Sequence, residues 1–335
     1  ETLKNLNYDG NAYNVAVGYQ AGKEVTTGVR NILVGGFAGG SLTTGVHNVA
    51  MGYSALATED TGSRNTALGY QALKNLNIDS SAYNVAVGHH AGLSVTTGTK
   101  NTLVGGLAGD AITTGEYNVA LGQNALSAED TGSRNIAIGF EALRDLNYDG
   151  SAYNVAIGWQ AGLSVTTGTR NTLIGGLTGD ALTSGYYNTA LGYQALSGSV
   201  SGRNAVAIGY QALMNENATN TETYNVAVGY TAGAQITTGV RNAILGGLAG
   251  DALTTGNYNV ALGYTALGGE DAGSANTAIG YAALAVQDAG DAYNTAVGFE
   301  AGKSVTTGVQ NTIMGGLAGD ALTTGEQNTA IGYAA

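Results

Sequence analysis

The sequence predicts an all-β fold, a β-solenoid of about 19 coils of 17 residues, and three observations carry that prediction. They are a fixed repeat, a strand-like alternation inside each repeat, and a glycine turn that closes it. The stretch Tyr13-Asn14-Val15-Ala16-Val17-Gly18-Tyr19-Gln20-Ala21-Gly22 recurs in close variants from one end of the 335 residues to the other. Counted on the glycine of N-x-A-x-G, nineteen copies fall at Gly18, Gly35, Gly52, Gly69, Gly88, Gly105, Gly122, Gly139, Gly158, Gly175, Gly192, Gly209, Gly229, Gly246, Gly263, Gly280, Gly298, Gly315 and Gly332. Most lie 17 residues apart, and every fourth step is longer, at 19, 19, 20 and 18. A fixed period of this length marks stacked coils. One repeat domain therefore spans 1–335, in place of the two or three domains that such a length would otherwise suggest.

The coils come in four kinds in fixed order. They build a super-repeat that begins near Tyr13, Tyr83, Tyr153, Tyr224 and Tyr293, the fifth being incomplete. Within a coil, Asn14-Val15-Ala16-Val17-Gly18 alternates with the period of a strand. The valines are expected to face inward, because the second of them is Val17, Val34, Met51, Leu68, Val87, Val104, Leu121 and Ile138 in successive coils, always apolar. On that reading Ala16, Ala50, Ala67, Ala86 and Ala120, with Ala21, Ala38, Ala55 and Ala72, form outward stripes of small residues. They are the candidates for a trimer interface.

A second apolar group comes later in the coil and changes place with coil kind. The first two kinds have Gly22 and Gly39 followed by Val25 and Leu42, while the third has Leu56 and then Glu59. In the second kind Ala16 is replaced by Leu33 and Tyr19 by Gly36, an exchange repeated at Leu103 with Gly106 and Leu173 with Gly176. A large residue is expected to fill the space that a ring vacates, which keeps a narrow core filled. The turns Thr26-Thr27-Gly28 and Thr43-Thr44-Gly45 supply a residue tolerant of positive φ. The asparagines Asn14, Asn31, Asn48, Asn65, Asn84, Asn101, Asn118 and Asn135 are expected to form a structural ladder, bonding backbone across the turn or in the next coil.

Composition excludes several classes. Fifty-five glycines without a G-X-Y triplet exclude collagen, and the absence of cysteine removes thiol nucleophiles and thiolate metal sites. A net charge of −12 disfavours nucleic acid as a partner, and no apolar run reaches the ~20 residues of a membrane span. The opening residues Glu1–Gly10 match the interior stretch Glu141–Gly150, so both ends are expected to lie mid-repeat in a longer chain.

N-x-A-x-G followed by Y-x-A-L and a T-G turn resembles the head repeat of trimeric autotransporter adhesins (YadA-like), found also in phage tail fibres. Arg203-Asn204-Ala205-Val206-Ala207-Ile208-Gly209 matches the shorter adhesin form N-x-V-A-I-G. The resemblance covers essentially the whole chain; the 17-residue coil and the four-coil super-repeat depart from the adhesin pattern. It implies a left-handed parallel β-roll, three of which pack about a common axis as a homotrimer. Nineteen coils at ~4.8 Å would make a rod roughly 90 Å long.

No catalytic constellation is present, and the chain is expected not to be an enzyme. His89 and His90 stand where other coils carry Tyr-Gln, and as adjacent strand residues they are expected to face apart and share no metal. No cofactor is expected. The nearest approach to a calcium motif is Gly105–Ile112, with Asp180, Asp251 and Asp320 equivalent to Asp110. It lacks the tandem repetition of a G-G-x-G-x-D nonapeptide, so solvated turn carboxylates account for it better. The ligand-binding candidates are Tyr19, Tyr53, Tyr70, Trp159, Tyr193, Tyr210, Tyr230, Tyr264 and Tyr281, which share one site per coil with Phe140 and Phe299. Such a ladder serves either as a platform for sugars or a protein receptor, or as part of a trimer interface. The enlarged turns of the fourth kind, 75–82, 145–152, 214–223 and 286–292, are the expected protrusions.

The reading is a structural and adhesive fibre, extracellular on a virion or a bacterial surface. A phage tail-fibre shaft or head mediating host attachment comes first, a bacterial adhesin head second, and an ice- or carbohydrate-binding solenoid third. Its expected partners are itself, as a homotrimer, and a host-surface glycan or protein receptor.

Overall fold

The structure, a computed structural model, describes residues 1–219 and 221–335, in two compact units, Glu1–Thr167 and Gly168–Ala335. Asn220, inside the enlarged turn 214–223, lies outside the described residues. Each unit is a parallel β-solenoid, and among the described residues there is no helix. Every coil contributes one three-residue strand, nine in the first unit and ten in the second. The first super-repeat supplies β1 (Val15–Val17), β2 (Ile32–Val34), β3 (Val49–Met51) and β4 (Thr66–Leu68).

Neighbouring strands pair in parallel and in sequence order, with Val15 opposite Ile32, Ala16 opposite Leu33 and Val17 opposite Val34. Register holds across the long steps: Thr66 pairs with Val85 and Ile136 with Val155 in the first unit, Val206 with Val226 and Thr277 with Thr295 in the second. The extra residues are thus absorbed entirely in the turns. A slip of one position would turn every side chain to the opposite face, so the core itself holds the pairing.

The facing of the strands is the reverse of the sequence expectation. Ala50, Ala67, Ala86 and Ala120 are fully buried inside their own chain, as none of the flanking valines is, and Ala16 is half-buried in the first coil. Val17, Met51 and Leu121 are exposed, and Val34, Leu68 and Val87 half-buried. Ala21, Ala38, Ala55 and Ala72 also lie inside. None of these alanines can therefore form an outward stripe for a neighbouring chain. The physical reason is width. A strand of three residues aims only its central side chain inward, and the returning half of the coil already fills the space with larger groups.

Those groups explain the exchange between coil kinds. Leu56 and Leu73 fill the core in the third and fourth kinds, where the strand centre is Ala50 or Ala67. In the second kind Leu33 fills it from the strand side, and a Cβ added at Gly39 would lie 2.8 Å from its Cδ2. A Cβ added at Gly92, in a first-kind coil, would lie 2.7 Å from Leu103 Cδ1 and 3.0 Å from Leu73 Cδ2. The compensation is thus between Leu33 and the glycines Gly22 and Gly39, not between Leu33 and a ring, since Tyr19 is on the surface.

Two recurrent glycines are fixed by close approach. The motif glycine has φ between +127 and +144, and a Cβ at Gly105 would meet the Gly122 carbonyl oxygen at 2.4 Å. The turn glycines Gly28 and Gly45 do not have the positive φ expected of them. They are required because a Cβ there would lie 2.5 and 2.3 Å from the carbonyl oxygens of Gly45 and Gly62 in the next coil.

The asparagine ladder forms as expected. The backbone N–H of Asn31 donates to Asn14 Oδ1 at 2.8 Å, and the same bond repeats through Asn48, Asn65, Asn84, Asn101, Asn118 and Asn135 at 2.9–3.2 Å. The Nδ2 of Asn31, Asn48, Asn84, Asn101 and Asn118 donates across the coil to a turn-glycine carbonyl at 2.8–2.9 Å. Each buried amide thereby satisfies a strand-entry N–H in the next coil and closes a turn, so little of its polar surface is left without a partner.

Candidate binding surfaces

Most strands carry an exposed side chain two residues before them and, outside the second-kind coils, another two residues after them. The group after the strand is the aromatic ladder, and it is exposed: Tyr19, Tyr53, Tyr70, Trp159, Tyr193, Tyr210, Tyr230, Tyr264 and Tyr281 all stand on the surface of the single chain. Tyr53 stacks on Tyr70 with centroids 5.7 Å apart, and Tyr70 on His89 at 5.3 Å. In the second unit Tyr193, Tyr210 and Tyr230 form a second stack of three, and Tyr264, Tyr281 and Phe299 a third. The second-kind coil breaks the ladder with Gly36, Gly106, Gly176, Gly247 or Gly316. The surface therefore carries three ring triads, interrupted where Gln123 precedes Phe140 and Trp159, and shallow clefts lie beside two of them, one lined in part by Phe37 and Tyr53 and another by Tyr264 and Tyr281.

His89 and His90 do not face apart. They follow the strand, in a turn where His90 has φ +58, and their rings lie 3.9 Å apart. Burial, and then the neighbouring His89, lower the pKa of His90.

The group before each strand was not singled out by the sequence reading. It occupies a left-handed position throughout, φ +50 to +62, and in the first unit runs Tyr13, Arg30, His47, Arg64, Tyr83, Lys100, Tyr117, Arg134, Tyr153. Aromatic and basic residues alternate from Arg64 onward. Lys100 Nζ lies 4.6 Å from the Tyr117 ring centroid, and the Arg134 guanidinium lies 5.2 Å from Tyr117 and 5.7 Å from Tyr153. In the second unit Arg170 lies over Tyr187 and Arg241 over Tyr258, and beyond them the same positions hold Ala275, Tyr293, Gln310 and Gln327. The alternation has a period of two coils, so a search for one residue type per coil passes over it.

Inside the coil, a second feature was missed. Glu59 and Glu129 occupy the inner rung held by Val25, Leu42 and Leu76 in other coils, and both are fully buried. Glu59 accepts from Gly62 N–H at 2.6 Å and from Ile78 N–H, in the enlarged turn of the next coil, at 3.3 Å. Glu129 repeats this with Gly132 and Tyr148. Burial raises the pKa of both, and the turn N–H bonds oppose it. A glutamate on an otherwise apolar rung was the available signal.

The calcium-like motif contributes one carboxylate per copy. Burial raises Asp110, Asp180 and Asp251, and one oxygen of Asp110 and of Asp180 is buried without a hydrogen-bond partner. Calcium takes six to eight oxygen ligands. Among the described residues, the one group of three acids whose ligand atoms lie within 4.8 Å is Glu270, Asp271 and Asp288, none of them an aspartate of this motif. Glu270 already accepts from Gly273 N–H and from Gln287.

No helix among the described residues is long and apolar enough to cross a membrane. No family model, no curated protein and no solved structure matches this chain.

Proposed function

We propose that this chain is a non-enzymatic segment of a homotrimeric attachment fibre, a left-handed β-roll displayed on a virion as a phage tail-fibre shaft or head. A bacterial adhesin head is the alternative that the same features support. The observation that carries the reading is the outward column at the third strand position. It is Val17, Val34, Met51, Leu68, Val87, Val104 and Leu121 in the first seven coils, and apolar in all the others. Its members are exposed or half-buried, and an apolar stripe of that kind marks an interaction surface. Covering it coil by coil needs a partner with the same axial spacing of ~4.8 Å, and further copies of this chain have that spacing. Three rather than two copies is what the resemblance to adhesin heads implies.

Function would then be mechanical and multivalent. Coils joined by backbone bonds and an asparagine ladder resist bending, and identical faces bring weak receptor sites to a surface together, where effective concentration makes avidity. The aromatic triads are the candidate receptor-facing groups. The ice-binding reading is less well supported, because the first threonine of each turn is engaged within the stack: the hydroxyls of Thr26, Thr43 and Thr96 donate to carbonyls of the next coil.

Light scattering on the purified chain tests the assembly. Three chains are expected, and Leu121→Glu combined with Ile138→Glu should reduce the mass to one chain while the far-ultraviolet circular dichroism stays that of the parent. A single chain in the unsubstituted protein would refute the reading.

A further inference from the structure

We infer that the edge running from Arg64 through Tyr83, Lys100, Tyr117 and Arg134 to Tyr153 is a binding site for an extended acidic polysaccharide, one that carries a carboxylate or sulfate on alternate sugars. The inference stands whether the assembly holds one chain or three.

The first argument is charge economy. The chain has 24 acidic and 12 basic residues, so partners for its cations are abundant. Yet the five salt bridges among the described residues use Lys4, Lys23, Arg144 and Lys303, and none uses Arg64, Lys100 or Arg134. Glu116, which adjoins Tyr117 in sequence, attracts Lys100 electrostatically but makes no salt bridge with it. The guanidiniums are only lightly used: Arg64 and Arg134 each donate one Nη1 bond, to Ser81 and Ser151. Of the five donors on each, most remain available for a planar anion. Lys100 donates to the Tyr117 hydroxyl at 2.6 Å.

The second argument is the alternation. Half-exposed rings of Tyr83, Tyr117 and Tyr153 stand between the cations. The electron-rich face of a tyrosine attracts the C–H groups of a sugar ring as it attracts the neighbouring cation. Tyr83 and Tyr153 each carry one arginine at 5.5 and 5.7 Å and keep exposed ring surface for a sugar, whereas Tyr117 lies near both Lys100 and Arg134 and offers its exposed edge.

The third argument is spacing. Rungs ~4.8 Å apart place like charges ~10 Å apart along the edge. An extended β-linked polysaccharide rises by a comparable distance over two sugars, so each ring meets a tyrosine and each anion a cation. An extended acidic peptide repeats alternate side chains at ~6.6 Å and would fall out of step. A duplex carries a phosphate every ~3.4 Å per strand, far denser than the cations here. The net charge of −12 does not forbid an anion at this edge, because charges beyond the Debye length of ~8 Å are largely screened.

Calorimetric titration of the full chain with hyaluronan decasaccharide, chondroitin sulfate, dextran and oligothymidylate tests the site. The two acidic glycans should bind, dextran should not, and oligothymidylate should bind at least tenfold more weakly. A stronger response to chondroitin sulfate would assign the sulfate as the recognised group, and equal binding the carboxylate. Lys100→Gln with Arg134→Gln should weaken glycan binding by about tenfold or more, with a shallower salt dependence. Tyr117→Ala should weaken it with the salt dependence unchanged. Assembly mass should stay at the parent value and secondary structure should be unchanged, which separates this site from the trimer reading. Conversely, Ala275→Arg with Gln310→Arg restores the alternation among the last coils and should raise the number of decasaccharides bound per chain. No glycan binding, equal binding of dextran or oligothymidylate, affinity unchanged in the double variant, or unchanged stoichiometry in the restored one would each overturn the inference.

Discussion

The two units use the same frame and differ in how they hold their enlarged turns. In the first unit both third-kind coils place a glutamate on the inner rung, Glu59 and Glu129, beneath Leu76 and Leu146, and both enlarged steps are of 19 residues. In the second unit, where the steps are 20 and 18, the same two rungs are Ser199 with Glu216 and Glu270 with Gln287. Asn225 donates to Glu216 at 2.9 Å; Gln287 donates to Glu270 at 2.8 Å and accepts from Asn294 at 2.9 Å. The polar acceptor thus follows the length of the inserted turn, moving where the unpaired donors are. The motif glycine does not move in either unit, and the ladder asparagine gives way in the second unit at Ala205, whose N–H still donates to Asn188 Oδ1 at 3.0 Å. What cannot vary is set by the distance between coils, and what varies is set by the local supply of donors.

The largest effect should come from touching that distance. Gly105→Ala puts a Cβ against the Gly122 carbonyl at a φ of +139, whereas a Cβ on its neighbour Gly106 meets nothing within 4 Å. Gly105→Ala is expected to cost about 3 kcal/mol or more through clash and backbone strain, and Gly106→Ala less than about 0.5 kcal/mol. Thermal unfolding followed by circular dichroism separates them. Equal melting temperatures would mean that the stack can open locally to admit a methyl group.

Next comes the ladder. Asn118→Ala strands the Gly132 carbonyl and the Asn135 N–H, both buried, and should cost about 3 kcal/mol. In the second unit Asn276 accepts from Asn294 N–H at 3.1 Å, but its own Nδ2 is buried without a hydrogen-bond partner. Asn276→Ala should therefore cost clearly less than Asn118→Ala in the same melting experiment. A larger loss at Asn276 would show that its amide has a partner in solution.

The glutamate rungs give a pH dependence of smaller size. Burial raises the folded-state pKa of Glu59, Glu129 and Glu270 above the unfolded value. Between the two values the folded state holds the extra proton. The stability these groups contribute is complete below the unfolded pKa and is lost as pH rises through the raised one. The melting temperature should rise when pH is lowered from about 7 to about 5. Glu59→Gln with Glu129→Gln keeps a carbonyl for the turn N–H groups and should flatten much of that slope. An unchanged slope would assign it to Glu216, Glu270, Asp110, Asp180 and Asp251, which burial also raises.

Much of this was legible before any coordinates. The 17-residue period, the coil count, the lengthened fourth step and the asparagine ladder follow from residues that must recur wherever backbones meet. Facing was not legible. Alternation in Val15-Ala16-Val17 marks two faces without naming the inner one, and the rule that larger residues go inside fails in a coil too narrow for them. Ala120 lies in the core and Leu121 on the surface because Leu126 fills the interior from the other side of the coil. The cation–tyrosine edge was hidden for another reason. Its residues change with coil kind, and only the stack brings Lys100, Tyr117 and Arg134 together.

That edge should have the smallest effect on stability and so most cleanly separates frame from surface. Each cation–π contact at an exposed site is worth about 0.5–1 kcal/mol, and the last coils of the second unit stack with Ala275, Gln310 and Gln327 at the same positions. Lys100→Gln, which removes one such contact, should accordingly lower stability by no more than about 1 kcal/mol, within a few degrees of the parent melting temperature. The backbone bonds at these rungs do not depend on the side chains: Lys100 N–H donates to Ala82 O at 2.7 Å and Arg134 N–H to Glu116 O at 3.0 Å, whatever residue stands there. A loss of several degrees would place the cations in the frame, holding left-handed rungs that glutamine cannot hold. Yet Gln310 and Gln327 hold the same conformation at φ +59 and +57, so the frame already tolerates glutamine there, and a basic residue at these rungs is set by what the surface meets.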